Sequence, residues 1–532
     1  MNRFRLSPVV SLVGVLALGM IPNLATASVP VQSSGTTIEV QGAVHHDVSP
    51  PLRSMHAVST ASVGQPSVRP LLIPPRSTAK EQSDSVAQTS AGPSVGATIG
   101  LNFPGVGQGD YGFRDQYAPP DTNGAVGATQ YVQWVNVDLA VFNKSNGALL
   151  LGPVAGNTIW TGFGGPCERN NDGDPIAQYD KAANRWVLTQ FVVSGAPPFL
   201  QCVAVSQTSD ATGSYNRYSF NQPGFNDYPK LSVWPDGYYI TYNIFNNSGT
   251  AFIGGRVCAM DRSAMLAGTA ATQQCQQLSS NYSGLLPSDL DGKTPPPGGS
   301  PNYVMDLDTN NSSLNLWKFH VDFATPANTT FTGPTNIPVP AFTPACDGTS
   351  RNTCIPQKGT TQQLESLGDR LMYRLAYRNF GDHEALVLNH SIQSGRSVGV
   401  RWYEVRSPSA PVVFQQGTYA PNGAHRWMGS IAMDKVGDIA VGYSVSSRLT
   451  YPSIRYTGRV PTDALGTLEG EATIKAGSGS QNGGLARWGD YSAMTVDPVD
   501  DCTFWYTNEY LKTTGSFNWS TEIASFKFPS CH

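Results

Sequence analysis

The chain has 532 residues, a formal net charge of −4 and only 14% charged residues, set against 54 glycines, 39 prolines and 22 tyrosines. That length allows one large domain or several average ones. The sparse charge and abundant turn residues argue against a helical protein, whose outer faces need Ala, Leu, Glu and Lys. The slightly acidic balance excludes a nucleic-acid binder, which needs a basic excess.

Residues 1–27 read as a secretory signal. Arg3 and Arg5 precede a mostly apolar run from Pro8 to Ile21, and Ala25-Thr26-Ala27 is a small-residue cleavage site. The run is too short for a membrane anchor, and no later stretch is long and apolar enough to span a bilayer. The protein is therefore expected to be secreted, or periplasmic in a Gram-negative cell. Residues 28–97 are rich in Ser, Thr, Pro, Val and Gln with almost no aromatics. They read as a disordered linker or propeptide, because they bury too little apolar area to offset ordering entropy. The folded domain then occupies 98–532.

From residue 124 a repeat sets in. Each copy has a short strand, a turn that contains Asp in all but the first, and a second strand with aromatics: "GAVGATQYVQWVNVDLAVFN" (124–143), "DPIAQYDKAANRWVLTQFVV" (174–193), "DYPKLSVWPDGYYITYNIF" (227–245), "PNYVMDLDTNNSSLNLWKFHVDF" (301–323) and "DRLMYRLAYRNFGDHEALVLNHSI" (369–392). The last two are "HRWMGSIAMDKVGDIAVGYSVSS" (425–447) and "ARWGDYSAMTVDPVDDCTFWYTNEY" (486–510). With Asp497 set over Asp434, Asp501 falls on Asp438 and Tyr506 on Tyr443. Further strand-like runs follow each hairpin. The pattern predicts an all-β, seven-bladed β-propeller of four-stranded antiparallel blades. A lone blade has bare edges, and a closed ring covers its faces. The last copy is short of strands, and "ATIGLNFPGV" (97–106) is placed to supply its outer strand and close the ring.

All eight cysteines, 167, 202, 258, 275, 346, 354, 502 and 531, follow the signal segment. An even number in an exported chain implies disulfides, with 105 pairings open. Pairing of sequence neighbours is the expected arrangement: Cys167–Cys202, Cys258–Cys275, Cys346–Cys354 and Cys502–Cys531.

In a propeller the segment leading into each first strand opens on the central channel. These lead-ins carry Asp121, Asp174 and Asp227 in the first three copies. The last three carry Asp369-Arg370, His425-Arg426, and Arg487 with Asp490-Tyr491. Such Asp residues also cap turns, and Asp–Arg pairs also hold rings together. The chemical reading is that Arg370, Arg426 and Arg487 clamp an anion through planar, two-bond contacts. Asp121 would add a substrate contact, and Trp427 and Trp488 would stack on the ligand. Asp174, Asp227 and Asp490 would act as acid, base or nucleophile, with Tyr491 and His425 in reserve. Paired carboxylates of this kind suit glycoside hydrolysis. In "NNDGDP" (170–175), Asn171, Asp172 and Asp174 offer hard oxygens for Ca2+, although an Asx turn accounts for the loop more simply. No cofactor is required.

The phrases "PPDTNGAVG" (119–127), "DPIAQYD" (174–180), "YPKLSVWPDGYY" (228–239) and "RWGDYSAMTVDP" (487–498) resemble a family of secreted bacterial proteins. The resemblance covers most of residues 100–532 and implies a propeller. The ring of arginines and acids is similar in plan to sialidase-like, glycan-active propellers. Their Arg-Ile-Pro motif and Ser-x-Asp-x-Gly-x-x-Trp box are missing, so no catalytic residue carries over. The resulting expectation is a secreted, monomeric glycoside hydrolase acting on an acidic extracellular glycan at the channel mouth. The alternatives are a polysaccharide lyase on the same fold, or a non-catalytic glycan- or protein-binding propeller.

Overall fold

The computed structural model describes residues 37–56, 67–68, 82–349 and 353–532; the signal segment expected at 1–27 lies outside them. Among these residues the chain is all-β, and its α-helical stretches are Gly165–Arg169 and Arg262–Ala267.

Each repeat folds as an antiparallel meander, because its turns are too short for any other connection. The first meander uses Asn123–Val126, Gln130–Trp134, Asp138–Asn143 and Leu149–Ala155. The second runs from Ile176–Asp180 to Tyr215–Gln222, and the third from Phe225–Val233 to Thr272–Gln277. The fourth begins at Leu286–Leu290, ahead of the copy recognised at 301, and its first strand is joined to the rest by a loop the repeat pattern does not include. The fifth starts at Met372–Asn379, and the fourth and fifth share a nine-stranded sheet through parallel pairing of Ser288 with Leu375. The sixth starts at His425–Met433 and the last at Ala493–Val496.

Turn chemistry explains where the second and sixth hairpins reverse. Asp180 accepts the Ala183 N–H at 2.9 Å, and Asp434 accepts the N–H groups of Val436 and Asp438, both at 3.0 Å. An Asp side chain bonding its own backbone ahead in this way favours a turn over a continued strand.

The first strands lie against one another in chain order. Asn123–Val126 neighbours Ile176–Asp180, which neighbours Phe225–Val233, and so on to Ala493–Val496, which returns to Asn123–Val126. This is the neighbour order that a propeller requires. Thr98–Pro104 pairs antiparallel with Trp519–Lys527 and completes the last meander, where the sequence places it. Apolar faces of adjacent meanders meet between the sheets. Trp134, Trp186, Trp234, Trp317, Trp402 and Trp505 lie there, each 3% exposed or less. All four neighbour disulfides are formed, and no described cysteine is free.

The expected disordered linker at 28–97 needs correction over its described parts. Glu39–Gly42 adds a fifth strand to the third meander and His45–Val48 to the second. Ala87–Gln88 pairs in parallel with the outer strand of the fifth. Composition underestimated this segment because its order comes from main-chain pairing with exposed sheet edges, which needs few apolar side chains.

Candidate functional site

The chain takes an uncommon backbone shape at the start of the first strands. Asp121 (φ 48°), Asp174 (φ 43°) and Asp490 (φ 59°) ahead of their strands, and Tyr228 (φ 55°) and Met428 (φ 52°) at register shifts inside theirs, are all left-handed. Asp tolerates this region better than most residues, which accounts for its recurrence at these positions. In the fourth meander the place is taken by Gly284 (φ 63°), where an added Cβ would stand 2.9 Å from the Cβ of Arg370. Glycine there frees room for that arginine, which explains why this lead-in contributes no side chain.

The left-handed turns bring groups from several meanders together. Asp121, Asp174, Asp227 and Asp490 are 1%, 6%, 3% and 4% exposed, and the first three each feel the charge of Asp490. Lys230, fully buried, joins them. Its Nζ donates to the adjacent Pro229 carbonyl at 2.8 Å and sits 3.3 Å from the Tyr228 ring centroid and 4.2 Å from that of Tyr491. Arg370 also approaches the Tyr228 ring, with its Cζ 4.5 Å from the centroid. A cation over an aromatic face is stabilised by the ring quadrupole, the more so when water is absent.

The arginines are held by acids. Arg487 donates Nε to Glu365 at 2.6 Å and Nη2 to both oxygens of Asp490 at 2.7 Å. Arg370 forms a two-bond fork with Asp369, both contacts 2.9 Å. Several polar atoms in the cluster have no hydrogen-bond partner among the described residues: both Asp121 carboxyl oxygens, Asp227 Oδ2 and Arg370 Nη1. Asp121 does lie within reach of Asp174, so one proton shared between the two carboxyls would bridge them.

Burial sets the protonation of the group. It pushes Asp121 and Asp227 well above the usual carboxylate range, reinforced by the neighbouring aspartates, so both are biased toward the neutral acid. Burial raises Asp174 to about 6, with Lys230 opposing the shift. It lowers Lys230 to about 7 against the pull of Asp174 and Asp121. The Tyr491 phenol is held above its ordinary value, chiefly by burial, and its hydroxyl donates to the Pro175 carbonyl at 3.2 Å. It is a fixed hydrogen-bond donor, which does not suit it to nucleophilic attack.

Of the residues predicted from sequence, Asp121, Asp174, Asp227, Arg370, Arg487, Asp490 and Tyr491 converge here. Four others do not. Arg426 turns to Glu471, with contacts of 2.9 and 2.8 Å, and lies over Tyr419. His425 accepts the Val398 N–H at 3.3 Å and is held down to about 4 by burial and Arg426. Trp427 and Trp488 are fully buried against each other, with ring centroids 6.0 Å apart, and the Trp488 indole N–H donates to Ser444. They are core residues with no face left for a ligand.

The calcium turn also resolves differently. Asp172 accepts from the N–H groups of Val193 and Ser194 and from the Ser194 hydroxyl, while Asn171 Oδ1 accepts from Asn157 N–H. Asp174 alone of the three faces the cluster. Among the described residues no group of three His, Cys, Asp or Glu is placed to hold a metal ion. Lys230, Glu365 and Tyr228 are the members that the sequence pattern did not reveal. The available signal was a lysine inside the otherwise uncharged run "YPKLSVW" (228–234).

No protein-family model and no curated protein matches the chain. Solved structures similar to it include the WD40 domain of SCAP from fission yeast, with TM-score 0.32, 9% identity, 75% of this chain and 82% of that one. The phage phi92 endosialidase gives TM-score 0.36 and 8% identity over 82% of this chain and 69% of that one. The α-L-arabinofuranosidase from Lactobacillus brevis gives TM-score 0.27 and 9% identity over 66% and 90%.

Proposed function

We propose that the chain is a secreted, monomeric, seven-bladed β-propeller that cleaves an acidic glycan by acid–base hydrolysis at its central cluster. The observation that carries this reading is the buried meeting of Asp121, Asp174, Asp227 and Asp490 with Lys230, in which some carboxyl oxygens have no protein donor. Asp227, biased toward the acid form and not hydrogen-bonded to Asp174, would protonate the leaving glycosidic oxygen. Asp174, near 6, would take the proton of the attacking water. Two carboxyls whose surroundings separate their proton affinities make such an acid–base pair. Arg370 Nη1, without a protein partner, is the donor available to an anionic sugar group. The chemistry uses no cofactor. Four disulfides fit an oxidising compartment, and among the described residues no helix is long and apolar enough to cross a membrane.

A second reading has its own support. No aspartate of the cluster exceeds 6% exposure, so the cluster also suits a polar plug that ties the first strands of a non-catalytic propeller. The two are separated by incubating the protein with acidic and neutral polysaccharides and following both reducing ends and ultraviolet absorbance. Hydrolysis releases reducing ends without absorbance, and Asp227→Asn and Asp174→Asn abolish it. New absorbance would instead mark elimination by a lyase, and silence on both readouts would leave the plug.

A further inference from the structure

Three buried arginines on the outer half of three different meanders have carboxylate partners from the same source. Arg217 of Tyr215–Gln222 forms a fork with Asp47 at 2.8 and 2.6 Å and donates Nη1 to the carbonyls of Ile159 and Thr161. Arg256 of Phe252–Asp261 meets Glu39 at 2.7 Å, and Arg401 of Ser397–Arg406 meets Asp84 at 2.6 Å. Side-chain exposures of these arginines are 2%, 2% and 0%. Each acid belongs to the segment ahead of the first meander.

The contact made by residues 39–48 is that of an added strand. Glu39–Gly42 pairs with Thr272–Cys275 and His45–Val48 with Asn216–Ser219, both antiparallel. His46 stacks on Tyr218, and Gln41 accepts from the Gln273 amide at 2.7 Å. Its valines stay outside, with Val40, Val44 and Val48 48%, 56% and 51% exposed, while Ala43 and the preceding Ile38 are half-buried against the core. No cysteine precedes residue 167, so no disulfide ties the segment down. Main-chain pairing supplies adhesion, and the two arginines fix where along the edge a carboxylate falls.

We propose that the outer edges of the second and third meanders form a peptide-docking surface for an extended acidic strand, kept occupied in cis by residues 39–48. Its ligand is an extended segment with carboxylates at the places of Glu39 and Asp47, one for each buried arginine. The same device recurs at Asp84 and Arg401, so the matching of an acid to a buried arginine is a repeated feature of this segment. Tethering raises the effective concentration of the chain's own strand to the millimolar range, so a free peptide competes poorly with it.

The test frees the surface without shortening the chain. In full-length E39K/D47R, the segment brings like charge to Arg256 and Arg217 and leaves the edges. A fluorescein-labelled synthetic peptide of residues 37–50 is then titrated by fluorescence anisotropy. It should bind the variant saturably and the wild-type protein at least ~100-fold more weakly, as the tethered strand dictates. The same peptide carrying E39K/D47R should bind neither. Equal binding to both proteins, or no binding to the variant, overturns the proposal. If E39K/D47R does not fold, D47R alone takes its place, since it keeps the like-charge repulsion at Arg217 that frees the edge of the second meander. Failure of the peptide to bind that variant is equally decisive.

Discussion

Asp174→Asn separates a catalytic cluster from a structural one. Asp174 rises from an ordinary 3.8 to about 6 in the folded protein, chiefly through burial. A raised carboxyl favours the folded state fully below pH 3.8 and loses that contribution as pH rises through 6. Moving a carboxyl's titration midpoint by one pH unit corresponds to about 1.4 kcal/mol, so ionising this group costs the wild type about 3 kcal/mol at pH 8 and about 0.5 kcal/mol at pH 4. Asparagine has nearly the same shape, tolerates the left-handed backbone at φ 43°, and can donate its amide to the otherwise unsatisfied Asp121. At pH 8 the Lys230 amine, lowered to about 7, is mostly neutral, so little attraction is forfeited. The variant should match the wild type near pH 4 and exceed it by up to about 3 kcal/mol at pH 8, while losing glycan cleavage. Urea denaturation at the two pH values, with the disulfides intact, reads the difference. A variant less stable than the wild type at pH 8 would refute the reasoning, because a structural ion pair between Asp174 and Lys230 predicts that sign. A gain in stability with a loss of activity is the usual mark of a strained functional group.

Three further outcomes follow from the same structure. Lys230→Met removes the charge that holds Asp174 down, so the acidic limb of the pH–rate profile should move to higher pH. Trp488→Ala should cost about 3–5 kcal/mol in thermal or urea unfolding, as for a large buried aromatic, without changing the affinity of any glycan the protein binds. Cys502→Ser with Cys531→Ser opens a loop with a sequence separation of 29 and should cost about 3.5 kcal/mol by loop-closure entropy, read as a lower unfolding midpoint.

Much of the fold can be read from the sequence because neighbours in sequence are neighbours in space. Cys258 and Cys275 sit directly opposite on paired strands, and a meander offers each cysteine few partners other than the next one. The same locality made the Asp lead-ins visible, since a residue type that tolerates a left-handed turn recurs where such turns do. Small differences in loop length mislead the alignment. Met433 pairs with Ile439 but Val496 with Phe504, so the turn in the last meander is two residues longer. Asp501 can be set over Asp438, yet Tyr506 and Tyr443 are not equivalent: one hydroxyl meets Ser492 and the other Glu471. The lead-ins "HRWMGS" and "ARWGDYS" diverge in the same way. The left-handed residue is Met428 in one and Asp490 in the other, and Arg426 and Arg487 turn to different glutamates, Glu471 and Glu365. Partners so distant in sequence leave no local trace. Lys230 is hidden for a further reason. All but the first residue of Phe225–Val233 are buried, so alternation cannot tell the channel side from the side facing the next sheet. Only the ring of neighbours makes that lysine part of the cluster.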